Sequence, residues 1–163
     1  MSFNERLRKI ALWANVDPGP FVVQADAIMA AFDAGSPREL DYLLRTMCPE
    51  DMWDWPAYAA YAQEFGEKPT RIRMVAALAH RVMRDIHWAQ RMPQLLANLA
   101  YRPLWQFRPA GDAHEHPACK NLSGRVERFD SEFWQTHGPT ICDKVRCRCT
   151  IRAYGIEEWA ELS

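Results

Sequence analysis

The sequence lacks both a strong charge of one sign and a long apolar run. Twenty Lys and Arg residues face 21 Asp and Glu residues, a formal net charge of −1. A chain so balanced has no general attraction to nucleic acid, and any contact with a polyanion must come from a local patch. Arg, Asp, His or Pro interrupts each of the longer apolar stretches, so none is long enough to span a membrane. The start, "MSFNERLRKIALWANV", has charges throughout and lacks the apolar core and cleavage site of a signal peptide. We therefore expect no membrane partner and a chain made in a reducing cytoplasm.

Several signatures of enzymes are also missing. The sequence contains no Walker-type loop, no dinucleotide-binding fingerprint and no HExxH motif. No nucleophile elbow or oxyanion motif accompanies the cysteines. Asp112, His114 and His116 lie close together in one loop and could form a hydrolytic metal site. Acidic and His residues are, however, common in loops by composition alone. We predict a protein that is not an enzyme and that has no small-molecule substrate.

The first two thirds of the chain carry the spacing of amphipathic helices. The composition is globular, with 48% hydrophobic and 25% charged residues, and 163 residues can bury a sizeable core. Leu7, Ile10 and neighbouring alanines predict a first helix, and a second is predicted from Phe21 to about Ala34. Ser36 followed by Pro37 is typical of a helix start.

An aromatic-rich segment and a long helix follow. We predict that Trp53, Trp55, Tyr58 and Tyr61 pack in the core, in preference to forming a sticky outer surface. The longest helix is predicted from Thr70 to about Met92, before Pro93. Its basic side is interpreted as a solvated face, with a docking face for an acidic partner or DNA phosphate as the alternative. That side consists of Arg71, Arg73, Arg81, Arg84 and Arg91.

The C-terminal third has the pattern of a small sheet. Alternation over residues 104–108 predicts a strand, which Pro103 and Pro109 should confine to an edge or a short run. "GRVERF" and "CRCTIRAYG" predict two more strands, and "IEEWAEL" predicts a short closing helix. The predicted fold class is α+β: a helical N-terminal part followed by a small, loop-rich β-sheet module stabilised by a metal site.

Four of the five cysteines lie in this module, and Cys48 is predicted to be a core residue. In a reducing compartment, clustered cysteines more often bind metal or act in catalysis than form disulfides. Zinc takes four sulfur or nitrogen ligands in a tetrahedron, and in a strand Cys147 and Cys149 would point to one face. A structural zinc would also fix loops that have little hydrophobic burial. The predicted ligands of this structural zinc are Cys119, Cys142, Cys147 and Cys149, with His116 as the alternative fourth ligand. Free buried cysteines, disulfides and a nucleophilic cysteine remain open as alternatives.

An ordered set of motifs runs through the same region. It begins with "LWQF" at 104–107, Gly111-Asp112 and "PACKNLSGRV" at 117–126, and it continues with "DSEFW" at 130–134, Gly138-Pro139 and "CRC" at 147–149. This series resembles the C-terminal domain of the Mu F-like family of phage head morphogenesis (minor head) proteins, over about Thr70 to Ala153. Two departures are a Cys at 119, where many members have His, and a longer turn before "CRC". The resemblance implies that Cys142, supplied by that turn, replaces a ligand.

The resemblance implies a division into a helical N-terminal region, 1–69, and a Mu F-like minor head domain, 70–163. It implies a structural or assembly component of the virion that is assembled in the host cytoplasm and acts near the portal or the capsid interior. The implied partners are the portal protein, the major capsid protein or both, and possibly packaged DNA. One alternative is a zinc-stabilised nucleic-acid-binding module with Arg125, Arg128, Arg146, Arg148 and Arg152 as phosphate contacts. The other is a small metal-dependent nuclease or hydrolase.

Overall fold

The computed structural model describes residues 1–111, 115–137 and 142–163. In these ranges the chain forms helices and a small antiparallel sheet, so the predicted α+β class is confirmed. The helices are α1 Phe3–Trp13, α2 Pro18–Val23, α3 Ala25–Asp33, α4 Pro37–Met47, α5 Pro56–Phe65, α6 Arg71–Ala97, α7 Pro117–Lys120, α8 Glu132–Thr136 and α9 Ile156–Leu162. The strands are β1 Leu104–Arg108, β2 Val126–Arg128 and β3 Thr150–Tyr154. Two compact units result, Met1–Ile86 and His87–Ser163.

Helix starts in the first unit follow their local sequence. Ser2 accepts a hydrogen bond from the Glu5 N–H at 3.2 Å, and the Glu5 carboxylate accepts one from the Ser2 N–H, which completes a capping box. Ser36 caps α4 as predicted, by accepting from the N–H of Glu39. The single helix predicted from Phe21 to Ala34 is wrong. Gln24 leaves the helical conformation at φ −95° and ψ 13° and so separates α2 from α3.

The core prediction for the aromatic segment is confirmed, since Trp53, Trp55, Tyr58 and Tyr61 are all buried. The basic side of α6 is solvated only in part, since Arg73 is exposed but Arg71 and Arg81 contact other parts of the first unit. The Arg71 guanidinium donates to the carbonyls of Arg45 and Pro49, each at 2.6 Å, and so covers the C-terminal end of α4. The guanidinium of Arg81 lies 5.2 Å from the ring centroid of Trp13.

Helix α6 was predicted to end before Pro93. It instead continues through Pro93 to Ala97. A proline inside a helix removes one hydrogen bond and costs about 3 kcal/mol. The last turn nevertheless forms because it buries Leu95 with Trp88, Trp105 and Ile151. Burial of this side chain offsets much of the proline's cost.

The sheet has the order β2-β1-β3, and both pairings are antiparallel. Strand β1 is therefore central, so the edge position is wrong, whereas the predicted short run is confirmed, because the strand has five residues. Pro103 and Pro109 flank the strand without interrupting it, and the Pro103 carbonyl even accepts a hydrogen bond from Phe129. Trp105 and Phe107 are buried on one face of the sheet. Across the described residues, no helix combines the length and the apolar character needed to cross a membrane.

Candidate metal centre

Short elements with little regular structure carry the clustered cysteines. Cys119 lies on the one-turn helix α7, whose first residue is Pro117. Cys147 and Cys149 lie in the loop before β3, not in the strand as predicted, because β3 begins at Thr150. Arg146 adopts a left-handed φ of 57° directly before Cys147, an uncommon conformation outside glycine, and so turns the loop there. Cys119, Cys147 and Cys149 are buried and Cys142 is partly buried.

The fold brings the four thiols together. The Sγ atoms of Cys119, Cys142 and Cys147 all lie within 4.8 Å of one another. The Cys149 thiol hydrogen-bonds with those of Cys119 and Cys147. All five cysteines of the chain are free thiols. Zinc–sulfur bonds of about 2.3 Å place tetrahedral sulfur ligands about 3.8 Å apart, so this cluster fits a metal ion after only small side-chain movements.

Without a metal, the thiols stay protonated because they share hydrogen bonds in a buried place. Hydrogen bonds with Cys119 and Cys147, together with burial, raise the pKa of Cys142. The hydrogen bond with Cys142 lowers the pKa of Cys119, but bonds with Cys147 and Cys149, and burial, raise it overall. For Cys149, the bond with Cys119 lowers the pKa, while the bond with Cys147 and burial raise it to about 12. A metal ion that binds here must displace these protons.

His116 lies beside the cluster and is buried, with 6% of its surface exposed. Its Nε2 donates a hydrogen bond to the Val145 carbonyl at 2.9 Å, which ties α7 to the loop that carries Cys147. A ligand role for His116 would therefore have to use Nδ1. In the described chain, the group of mutually close donor atoms contains thiols alone.

An apolar shell packs against part of the cluster. Phe107 and Phe133 pack with the buried cysteines, as do the partly buried Leu122 and Trp134. The Phe133 ring also stacks on His137, with centroids 4.7 Å apart. This packing limits the access of water to the buried thiols, while the partly buried Cys142 lines a cleft together with Cys119 and His137.

The charged residues of the family-like motif have local partners. Arg125 pairs with Glu127 and lies 4.4 Å over the Phe133 ring, while Arg128 pairs with Asp130. Asp130 therefore pairs with Arg128 and not with Arg125. Gly124 has a left-handed φ of 77°, a conformation that glycine adopts readily in tight turns.

Some candidate residues lie elsewhere. Cys48 is buried in the first unit, as predicted, and burial raises its pKa to about 11. Asp112, His114 and the Gly138-Pro139 turn lie outside the described residues. Val145 was not among the predicted residues, yet it is buried at 2% exposure and its carbonyl accepts a hydrogen bond from His116. The sequence signal for its burial is that Val145 is an apolar residue between two charged ones, Lys144 and Arg146.

Comparison with known proteins gives one informative similarity. The chain is 30% identical over 90 residues to a protein of Escherichia phage Mu named "Putative capsid assembly protein F". The match covers 55% of this chain and 20% of the phage Mu protein, so the chain spans about one fifth of that relative. No protein-family model matches the sequence. No solved structure matches it either.

Proposed function

We propose that this chain is a head-morphogenesis (minor head) protein of a phage, a structural or assembly component that acts near the portal or the capsid interior. The similarity of 90 residues to the phage Mu protein carries this proposal. The ordered motifs from "LWQF" to "CRC" add to it and favour a Mu F-like domain over residues 70–163, preceded by a helical region at 1–69. The proposed partners are the portal protein, the major capsid protein or both, with packaged DNA as a further candidate. The proposed location is the virion, after assembly in the host cytoplasm.

The cysteine cluster is proposed to hold a structural zinc ion through Cys119, Cys142, Cys147 and Cys149. Four soft ligands in an apolar shell suit a closed tetrahedral site, whereas a catalytic zinc keeps an open position. The ion would supply rigidity by joining α7 to the loop before β3. His116 would orient that loop through Val145, and it is the alternative fourth ligand.

Two rival functions receive less support. Arg125 and Arg128, which would contact phosphate in a nucleic-acid-binding module, are paired with Glu127 and Asp130. Of the residues named for a nuclease or hydrolase, His116 lies beside the cluster with its Nε2 engaged with a carbonyl, and Asp112 and His114 lie outside the described residues.

Deletion of the gene from the phage or prophage that encodes it tests the assembly role. We expect a loss of infectious particles, an accumulation of aberrant or empty heads in electron micrographs, and recovery when the gene is supplied in trans. Mass spectrometry of purified wild-type particles should detect the protein in low copy number. A normal yield of infectious particles from the deletion would contradict the proposal.

Metal analysis of protein purified without chelator or affinity metal tests the zinc site. We expect about one zinc per chain, by analogy with structural zinc modules. Cys149→Ser and His116→Gln distinguish the fourth ligand, because only the true ligand's variant should lose stoichiometric zinc. Protein without any bound metal and with all thiols reactive would overturn the site while leaving the assembly role untouched.

A further inference from the structure

The outer edge of β3 is an unpaired strand edge. The N–H of Phe107 donates to the Arg125 carbonyl at 2.8 Å and its carbonyl accepts from Gly124 at 3.0 Å, so the main chain of Phe107 faces β2. Successive residues of an antiparallel strand face opposite sides. The main chain of Gln106 therefore faces β3, where it opposes Arg152.

The same alternation fixes the direction of the remaining groups of β3. Because the main-chain N–H and C=O groups of Arg152 point toward β1, those of Ile151 and Ala153 point away from the sheet. Over residues 1–111, 115–137 and 142–163, no further strand pairs with this edge and no other backbone hydrogen bond reaches these two residues. Main-chain groups of this kind are a template for an added strand.

Positive charge lies beside this edge. Arg152 is exposed on the face opposite the buried Trp105 and Phe107, and its guanidinium lies 5.1 Å over the Tyr154 ring. Within the described chain it forms no ion pair. Arg108 is exposed on the same face, opposite Thr150. Arg128, on the far strand of the sheet, differs because Asp130 neutralises it.

These features favour one occupant over two others. A second copy paired antiparallel through β3, with Ile151 opposite Ala153, would set one Arg152 against another, and like charges directly opposite each other destabilise a strand pair. Single-stranded nucleic acid needs exposed aromatic rings for base stacking, but Tyr154 is only 4% exposed. Nucleic acid bound through its phosphates would also leave the main-chain groups of Ile151 and Ala153 without a strand to pair with.

We propose that the outer edge of β3 binds an extended segment of a partner protein as a fourth strand, with a carboxylate side chain of that segment beside Arg152. The main-chain groups of Ile151 and Ala153 would supply hydrogen bonds, and Arg152 would select acidic sequences. This inference goes beyond the proposed assembly role, because it names the chemistry of a partner and uses a surface distinct from the cysteine cluster.

The test is fluorescence anisotropy of the full chain with a labelled peptide that alternates valine with glutamate. Its controls are the same peptide with lysine in place of glutamate and the same peptide with N-methylated alternate amides. We expect binding of the glutamate peptide that weakens with salt, and no binding of either control. Equal binding of the lysine or N-methylated peptide would overturn the proposal.

Matched protein variants locate the site. Arg152→Gln should weaken binding about threefold to fivefold, as expected for a cross-strand charge pair, whereas Arg128→Gln should leave it unchanged. Ala153→Pro should weaken it about tenfold or more, because proline removes an outward N–H and blocks the edge without removing a bond to β1. Circular dichroism and metal content are measured for every variant, so a loss of binding is separated from a loss of fold or zinc.

Three results would refute the proposal. Equal effects of Arg152→Gln and Arg128→Gln on peptide binding would show that the acidic peptide is attracted to positive charge in general and not to the β3 edge. Tight binding of a DNA duplex that depends on Arg152, without binding of the peptide, would identify nucleic acid as the occupant. A dimer in sedimentation that Ala153→Pro abolishes would identify a second copy of the chain.

Discussion

Replacement of Cys147 by Ser should loosen the second compact unit and leave the first largely intact. Cys147 is 3% exposed and its Sγ belongs to the group of three thiols within 4.8 Å. The loop that carries it has little regular structure, and the sheet that follows has strands of only five, three and five residues. Such a module has few other contacts with which to hold the loop before β3.

The size of the effect follows from linkage. A ligand at 1,000 times its Kd stabilises the folded state by about 4 kcal/mol, and each tenfold loss of affinity removes about 1.4 kcal/mol of that. A serine hydroxyl buried among thiols and phenyl rings adds about 1–3 kcal/mol if it lacks a partner. We therefore expect the opening free energy of β3 and α7 to fall by about 4 kcal/mol from loss of the ion alone, which is about a thousandfold faster amide exchange, and the buried hydroxyl adds to this loss.

Hydrogen exchange with mass spectrometry, with zinc quantified in the same samples, measures this effect. Cys48→Ser is the matched control: it also changes a buried cysteine, but in the first unit, so it should weaken protection there and leave the zinc content unchanged. Unchanged protection of residues 142–154 in Cys147→Ser, together with undiminished zinc, would show that the cluster does not organise the module.

Three further changes test other contacts. His116→Gln removes the hydrogen bond to the Val145 carbonyl and should weaken zinc about tenfold, as loss of an orienting partner does, measured by competition with a chromophoric chelator; unchanged affinity would contradict this role. Because the folded pKa of Cys48 is raised to about 11 by burial, its contribution to stability is complete below the unfolded value near 9 and disappears as pH rises through 11. Urea unfolding of the first unit at pH 8 and pH 10.5 should therefore show a loss on the order of 1–2 kcal/mol that Cys48→Ala abolishes, and an equal loss in the variant would refute the assignment. Leu95→Ala should cost about 2–4 kcal/mol and fray the last turn of α6 past Pro93, seen as faster exchange at residues 94–97; an unaffected turn would mean that burial of Leu95 does not hold it.

Local patterns predicted the parts of the fold that depend on local chemistry. Ser36 caps its helix as expected, because a cap needs only a side chain and an N–H three residues away. The buried aromatic segment and the approximate positions of the strands were also predictable, because the spacing of apolar residues reflects which face is buried. The gathering of cysteines in one module could be predicted from chain position alone.

Two predictions that relied on proline differ from the structure, and at Pro93 long-range burial decided the outcome. At Pro93 a local rule ends the helix, but contact of Leu95 with Trp105 and Ile151 continues it. At β1 a local rule assigns an edge, but Pro103 and Pro109 flank the ladder and leave the amides between them able to bond on both sides. The rule concerns the residue that lacks the N–H and does not extend to its neighbours.

The contact between His116 and Val145 shows the same limit at the candidate site. His116 was predicted as the alternative fourth ligand, yet its imidazole Nε2 donates to a carbonyl 29 residues away. A histidine whose Nε2 donates to a carbonyl can have either of two roles. It can bind a metal ion through Nδ1, or it can act only as a brace that holds the loop carrying Cys147. Because the group of close donor atoms in the described residues contains thiols alone, the brace is the simpler role. It explains how a loop with almost no regular structure can present Cys147 to Cys119 before any metal arrives.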